Sequence, residues 1–216
     1  MLKKYRTLLF DMDGTLVDTD DLIRQTFMRL YRKYRPGYQA SPEQMFLFSG
    51  PPIGETLRHE FPQQNQEALL KEFHDISWKL YPQCLKTYPR AKETLQSLRK
   101  EGYHLGIVTN KIHQTTLYCL QLLGFDNIFD AIIGFDDVID SKPHGEGIEK
   151  AMQILKETDH HRVLYIGDND IDFMTGQNAG VDVALVQWGP RKINPLLKPQ
   201  YRIQSFKNLW EVLQDE

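Results

Sequence analysis

Cysteine is scarce in this chain. Only Cys84 and Cys119 occur among its 216 residues, far apart and outside any Cys-x-x-Cys pair, so neither a zinc site nor a disulfide framework is implied. Free buried thiols suit a reducing compartment. Long apolar runs are also missing, since no stretch approaches the about 18 residues of a membrane span. The start Met1-Leu2-Lys3-Lys4-Tyr5-Arg6 is positive, but the apolar run after it is short and ends in acids, which argues against a secretory signal. A cytoplasmic location and no membrane partner are therefore expected. Nor is there an excess of positive charge: the formal net charge is −3, which provides no basic field for nucleic acid. A phosphorylated substrate is still compatible with such a chain, provided that the attraction is local, from a metal ion, a lysine or backbone amides. No internal repeat and no low-complexity segment is present.

The rest of the composition is that of an ordinary globular protein, with 41% hydrophobic and 25% charged residues. A chain of this length fits one domain plus a smaller one, or one domain with a large insertion. Leu8 to Phe10 reads as a buried strand. From Asp20 to Tyr34 apolar residues recur at helical spacing, and Pro36-Gly37 ends that helix. Ser41-Pro42 reads as an N-cap with proline at the first helical position. Short and longer helices follow at Ile53 to Phe61 and from about Leu69 to Pro82. Residues 17–85 thus read as all-helical, with no strand and with hinges at 16–20 and 82–89.

Beyond Pro89 strands and helices alternate. Helices are expected at Ala91 to Lys100, Ile112 to Leu123, Gly147 to Glu157, Ile171 to Ala179 and Phe206 to Leu213. Strands are expected at His104 to Thr109, Ala131 to Gly134, Val163 to Gly167, Val183 to Val186 and Tyr201 to Ile203. Such alternation, with apolar strands, implies an α/β fold, a doubly wound parallel sheet covered on both faces. The helical block falls between the first and second strands of that sheet, so it is an insertion.

In a doubly wound sheet ligands bind beyond the carboxyl ends of the strands. After the first strand come Asp11, Asp13, Gly14 and Thr15. Carboxylates at i and i+2 on an extended exit can converge, and Gly14 lets the backbone turn sharply. That suits a nucleophile beside a proton donor with a divalent cation between them; plain turn chemistry is the alternative. Thr109 and Asn110 follow the next strand, at the entry to a helix. Ser141-Lys142-Pro143 follows another on a longer loop, and Asp168, Asn169, Asp170 and Asp172 follow a fourth. A nucleophile, a hydroxyl, an ammonium and metal-binding carboxylates are thereby gathered on one sheet edge.

Read in order, Asp11-Met12-Asp13-Gly14-Thr15, Thr109, Lys142-Pro143 and Gly167-Asp168-Asn169-Asp170-Ile171-Asp172 resemble the four motifs of the haloacid dehalogenase superfamily. Residues 1–16 and 86–216 then correspond to its Rossmann-like core, and 17–85 to its helical cap. Asp13-Gly14-Thr15-Leu16-Val17-Asp18-Thr19, Phe48-Ser49-Gly50-Pro51-Pro52 and Gly176-Gln177-Asn178-Ala179-Gly180 are similar to the phosphoglycolate phosphatase and pyrophosphatase branch.

The resemblance implies a magnesium-dependent phosphatase acting on a small phosphorylated metabolite through an aspartyl-phosphate. Asp11 would be the nucleophile, and Asp13 the acid and then the base. Asp11, the Asp13 carbonyl and Asp168 would hold Mg2+. Thr109 would bind a phosphoryl oxygen, helped by amides at the helix start around Asn110, while Gly14 would meet a backbone requirement. Lys142 would balance charge as a compact cation. Thr15, Asn169 and Asp172 would support these groups, with Asn169 and Asp170 equally able to cap a helix, and Asp172 orienting either the metal shell or Lys142.

The chain departs from the family at His144-Gly145, where Lys-Pro-x-Pro is common, and at Pro51, where some relatives place an arginine. Tyr88-Pro89-Arg90 replaces the usual Pro-Gly, and Arg90 is expected to be solvated. His160-His161 reads as a loop away from the motifs, and the three tryptophans as packing. A sugar phosphomutase and a phospho-acceptor signalling module are the alternative readings, and a monomer or weak homodimer is expected.

Overall fold

A computed structural model of the chain describes residues 4–214; the first three residues of the positive start lie outside it. In chain order the strands are β1 (Thr7–Phe10), β2 (Val17–Asp18), β3 (Lys86–Thr87), β4 (His104–Val108), β5 (Ala131–Ile133), β6 (Val163–Gly167), β7 (Asp182–Val186) and β8 (Tyr201–Ile203). The helices are α1 (Asp20–Tyr34), α2 (Pro42–Phe46), α3 (Ile53–Glu60), α4 (Gln66–Cys84), α5 (Ala91–Lys100), α6 (His113–Leu123), α7 (Glu146–Leu155), α8 (Asp170–Asn178) and α9 (Phe206–Gln214). Among the described residues no helix is long and apolar enough to cross a membrane.

Six strands form a wholly parallel sheet in the order β5-β4-β1-β6-β7-β8. Alternate side chains of a strand point to opposite faces. Leu8 and Phe10 accordingly join Leu105, Ile107, Leu164 and Ile166 in one core, under α5 and α9. Leu9, Val108, Val163 and Tyr165 enter a second core on the other face, against Ile148, Ala151 and Met152 of α7. Both faces are covered, which is why the central strands carry no alternation of polar residues.

The inserted segment has its own core, in which Phe27, Leu30, Phe48, Leu57, Phe61, Leu69 and Phe73 pack together. It is not purely helical as expected. Val17 pairs with Thr87 and Asp18 with Lys86 in an antiparallel ribbon at the point where the chain leaves and re-enters the sheet unit. A two-residue strand is too short to leave a periodic signal. Pro82 also lies inside α4 rather than ending it. Its missing N–H removes one bond of the ladder, that to the Trp78 carbonyl, and the helix ends two residues later. At α7 the reverse occurs: the helix stops at Leu155, because Lys156 takes a left-handed conformation (φ 55°).

A polar knot sits in the insertion. Glu60 is 4% exposed and accepts hydrogen bonds from Tyr31 Oη (2.8 Å), Arg35 Nη1 (3.0 Å) and Gln44 Nε2 (3.2 Å). Burial opposes its charge, but the bonds from Tyr31, His59 and Gln44, together with Arg35, hold its pKa below the ordinary value. A carboxylate with a depressed native pKa contributes stability above its unfolded pKa, about 4.3, and loses it as pH falls through the native value. Glu60→Ala leaves the buried Tyr31 hydroxyl and the half-buried Arg35 and Gln44 without their acceptor. It should cost about 3 kcal/mol in urea denaturation at neutral pH, and the difference from wild type should shrink below about pH 4.

Candidate active site

The sheet order explains why the chemistry converges. Central β1 pairs with β4 on one side and β6 on the other, Phe10 facing Ile107 and Ile166. Asp11, Thr109 and Asp168 are the first residues beyond these three strand ends, at the place where the chain reverses its direction of winding and a crevice opens. The loop between β5 and α7 brings Lys142 beneath them.

Lys142 is 6% exposed. Its Nζ donates to Asp11 Oδ1 (2.7 Å), Asp172 Oδ1 (2.7 Å) and Tyr165 Oη (3.1 Å). Burial works against an ammonium there, yet Asp11 and Asp172 hold its pKa well above the ordinary lysine value. Of the two tasks expected for Asp172, its contacts are with Lys142. Its second oxygen accepts the amides of Asp168 (3.1 Å) and Asn169 (3.0 Å), so both oxygens are engaged. Burial raises the Asp11 pKa, with Asp172 and Asp13 adding to the effect and Lys142 opposing it. Among the described residues no hydrogen bond reaches Asp11 Oδ2.

Carboxylate oxygens of Asp11, Asp168 and Asp172 lie within 4.8 Å of one another, all buried. Among the described residues each Asp172 oxygen already accepts two hydrogen bonds, whereas Asp11 Oδ2 accepts none and Asp168 Oδ1 accepts only a 3.3 Å bond from Thr15, so Asp11 and Asp168 are the better donors. Hard anionic oxygens in this arrangement fit a hard divalent cation such as magnesium. The charges agree. Asp11, Asp13, Asp20, Asp168 and Asp172 face Lys111, Lys142 and Arg191; five carboxylates against three cations leave two negative charges when all are ionised. Burial raises the Asp168 pKa against the pull of Arg191. A divalent cation favours its ionised form.

Thr15 Oγ1 donates to Asp168 Oδ1 at 3.3 Å. Gly14 has φ +89°, and a Cβ there would lie 2.1 Å from Asp168 Oδ2, so glycine is required both for the turn and for the approach of Asp168. Asn110 accepts from the Lys142 amide (3.1 Å) and donates to Gly50 O (2.9 Å). Asn169 caps α8 and also reaches Ser49 O at 3.4 Å. Asp170 accepts from the Asn194 amide. Arg90 is exposed at the start of α5, and His160 and His161 form a turn leading into β6, at the other end of that strand from Asp168. Trp188 stacks on Phe206 at 4.5 Å and donates to Thr15 O at 3.1 Å, so it fixes the turn after β1 as well as packing.

Two cations were missed by sequence reasoning. Lys111 Nζ pairs with both oxygens of Asp13, at 3.1 and 2.9 Å; its position directly after Thr109-Asn110 at a strand end was an available signal. Arg191 joins Asp168 Oδ2 (2.7 Å) to Asp20 Oδ1 (2.6 Å). It comes from the long loop after β7, and nothing local marks it.

The insertion is thus fastened over the strand ends by two side-chain amides holding the carbonyls of Ser49 and Gly50. Gly50 has φ +116°, and a Cβ there would lie 2.5 Å from Asn169 Nδ2. Gly50→Ala should loosen this fastening and speed amide exchange across residues 48–54 about tenfold, as measured by mass spectrometry, from strain and a lost hydrogen bond.

Comparison with known proteins gives a consistent result. The chain is 34% identical over 214 residues to Pyrophosphatase PpaX of Bacillus thuringiensis strain Al Hakam, with 98% of each chain covered. A haloacid dehalogenase-like hydrolase from Bacteroides fragilis superposes with a TM-score of 0.87 at 26% identity, over 95% of this chain and 100% of that one. A protein from Haemophilus somnus 129PT, described as a predicted phosphoglycolate phosphatase, gives 0.84 at 20% identity, over 98% and 99%; at that identity the likeness is one of fold. Residues 8–186 match the family described as haloacid dehalogenase-like hydrolase, and the chain belongs to that family.

Proposed function

We propose that this hydrolase is a magnesium-dependent phosphatase for a small phosphorylated metabolite, with residues 17–85 acting as its cap. The observation that carries the reading is the gathering of Asp11, Asp13, Thr109 and Asp168 at three adjacent strand ends, with the buried Lys142 bonded to Asp11. The name of the relatives at 34% identity, pyrophosphatase, supports it.

In this reading Asp11 Oδ2 attacks phosphorus in line, the bond to the leaving oxygen breaks, and an aspartyl-phosphate forms. Asp13 gives a proton to the leaving oxygen, then takes one from the water that releases phosphate and regenerates Asp11. Lys142 holds Asp11 in place and offsets its charge and that of the phosphoryl group. Thr109 would hydrogen-bond a phosphoryl oxygen. Mg2+, held by Asp11, Asp168 and the Asp13 carbonyl, would neutralise the repulsion between an anionic nucleophile and an anionic substrate.

Phosphate release from a panel of small phosphoesters and pyrophosphate is expected with magnesium and should vanish on chelation. Asp11→Asn should lower turnover about a thousandfold or more with an unchanged circular dichroism spectrum. Release at the wild-type rate from that variant would remove Asp11 as nucleophile. Asp168→Asn should weaken magnesium binding about tenfold or more by calorimetry without substrate.

A further inference from the structure

Beyond Asp13, between the insertion and the strand ends, lies a cavity of about 70 Å³. That is room for a few waters, so a leaving group of a few heavy atoms fits within it. Much of its wall is apolar, formed by Leu22, Phe48, Ile53, Phe73 and Ile112. Besides Asn110, which holds the Gly50 carbonyl, two nitrogen-bearing side chains line it that the mechanism above does not use: Lys111 from the sheet unit and His74 from α4 of the insertion.

His74 Nε2 is buried without a hydrogen-bond partner among the described residues. An unpaired buried polar atom is a cost that native structures seldom carry without a use. Burial, with the nearby charge of Lys111, lowers the His74 pKa, which favours the neutral ring, a form able to donate through Nε2. The Lys111 side chain is 9% exposed, and in the free site it holds a carboxylate, that of Asp13. It is thus already arranged to grip an anionic oxygen beside the group that handles the leaving-group proton.

We propose that Lys111 and His74 form a leaving-group subsite, which selects substrates whose leaving group is small and carries an anionic oxygen two or three bonds from the bridging oxygen. The second phosphate of pyrophosphate and the carboxylate of a short phosphorylated acid share this chemistry. The inference rests on the phosphatase reading. Because one donor comes from each unit, the anion also ties the insertion to the sheet unit while the substrate is bound.

The test compares kcat and KM for pyrophosphate, phosphoglycolate and ethyl phosphate, the last a small ester without the second anion, in the full-length protein with magnesium. At least one anionic substrate should exceed ethyl phosphate in kcat/KM by tenfold or more, and the one preferred identifies the source of the anion. His74→Leu and Lys111→Met should each shrink that preference by at least tenfold, mainly through KM. His74→Gln, which keeps an N–H near the position of Nε2, should restore most of it. His74→Leu should also melt at or above the wild-type temperature, since it removes an unpaired buried nitrogen; a markedly lower Tm would give His74 a structural role and overturn the assignment. Equal hydrolysis of all three substrates by wild type, or variants that lower all three by the same factor, would overturn the subsite while leaving the phosphatase reading intact. Absence of phosphate release from these substrates and from p-nitrophenyl phosphate would instead count against the phosphatase reading itself.

Discussion

The buried ammonium of Lys142 is the interaction on which the site depends. Two buried carboxylates, Asp11 and Asp172, lie 2.7 Å from it, and burying such groups together is costly without a counter-charge. Asp172 in turn gathers the amides of Asp168 and Asn169, which sets the turn from β6 into α8. One cation thus organises the ends of three chain segments. Lysine suits this task because its point charge can serve several acceptors at once.

Charge is distributed around that centre in pairs. Lys111 balances Asp13, and Arg191 spans Asp168 and Asp20. Asp20 opens the first helix of the insertion, so Arg191 links a candidate metal ligand to the hinge. The amides of Asn110 and Asn169 hold the 49–50 loop from the other side. Closure of the insertion and assembly of the charged centre therefore share residues. Water exclusion and electrostatic strength rise together when the insertion is down.

Much of the fold was legible because it rests on local periodicity. Helices α1 and α5 and strand β6 begin and end where hydrophobic spacing and flanking residues place them. The β2–β3 ribbon, the continuation of α4 through Pro82 and the early stop of α7 were not legible. A two-residue pairing has no period, a proline usually marks the end of a helix whereas α4 runs two residues past it, and a left-handed lysine looks like any other lysine in sequence.

The sequence by itself determined the parallel sheet, the insertion and the residues that follow each strand end, since strand exits are where a doubly wound fold exposes its backbone to a ligand. Tertiary structure alone decided the partners: that Asp172 serves Lys142, that Lys111 faces Asp13, and that Arg191 reaches across from a distant loop. Ion pairs between residues 98 and 171 positions apart, such as Lys111 with Asp13 and Arg191 with Asp20, depend on how the strands are ordered and how long side chains cross the gaps. The same holds for the unpaired nitrogen of His74. In sequence it is a polar residue on a helix; only the closed insertion makes it a buried donor beside Lys111.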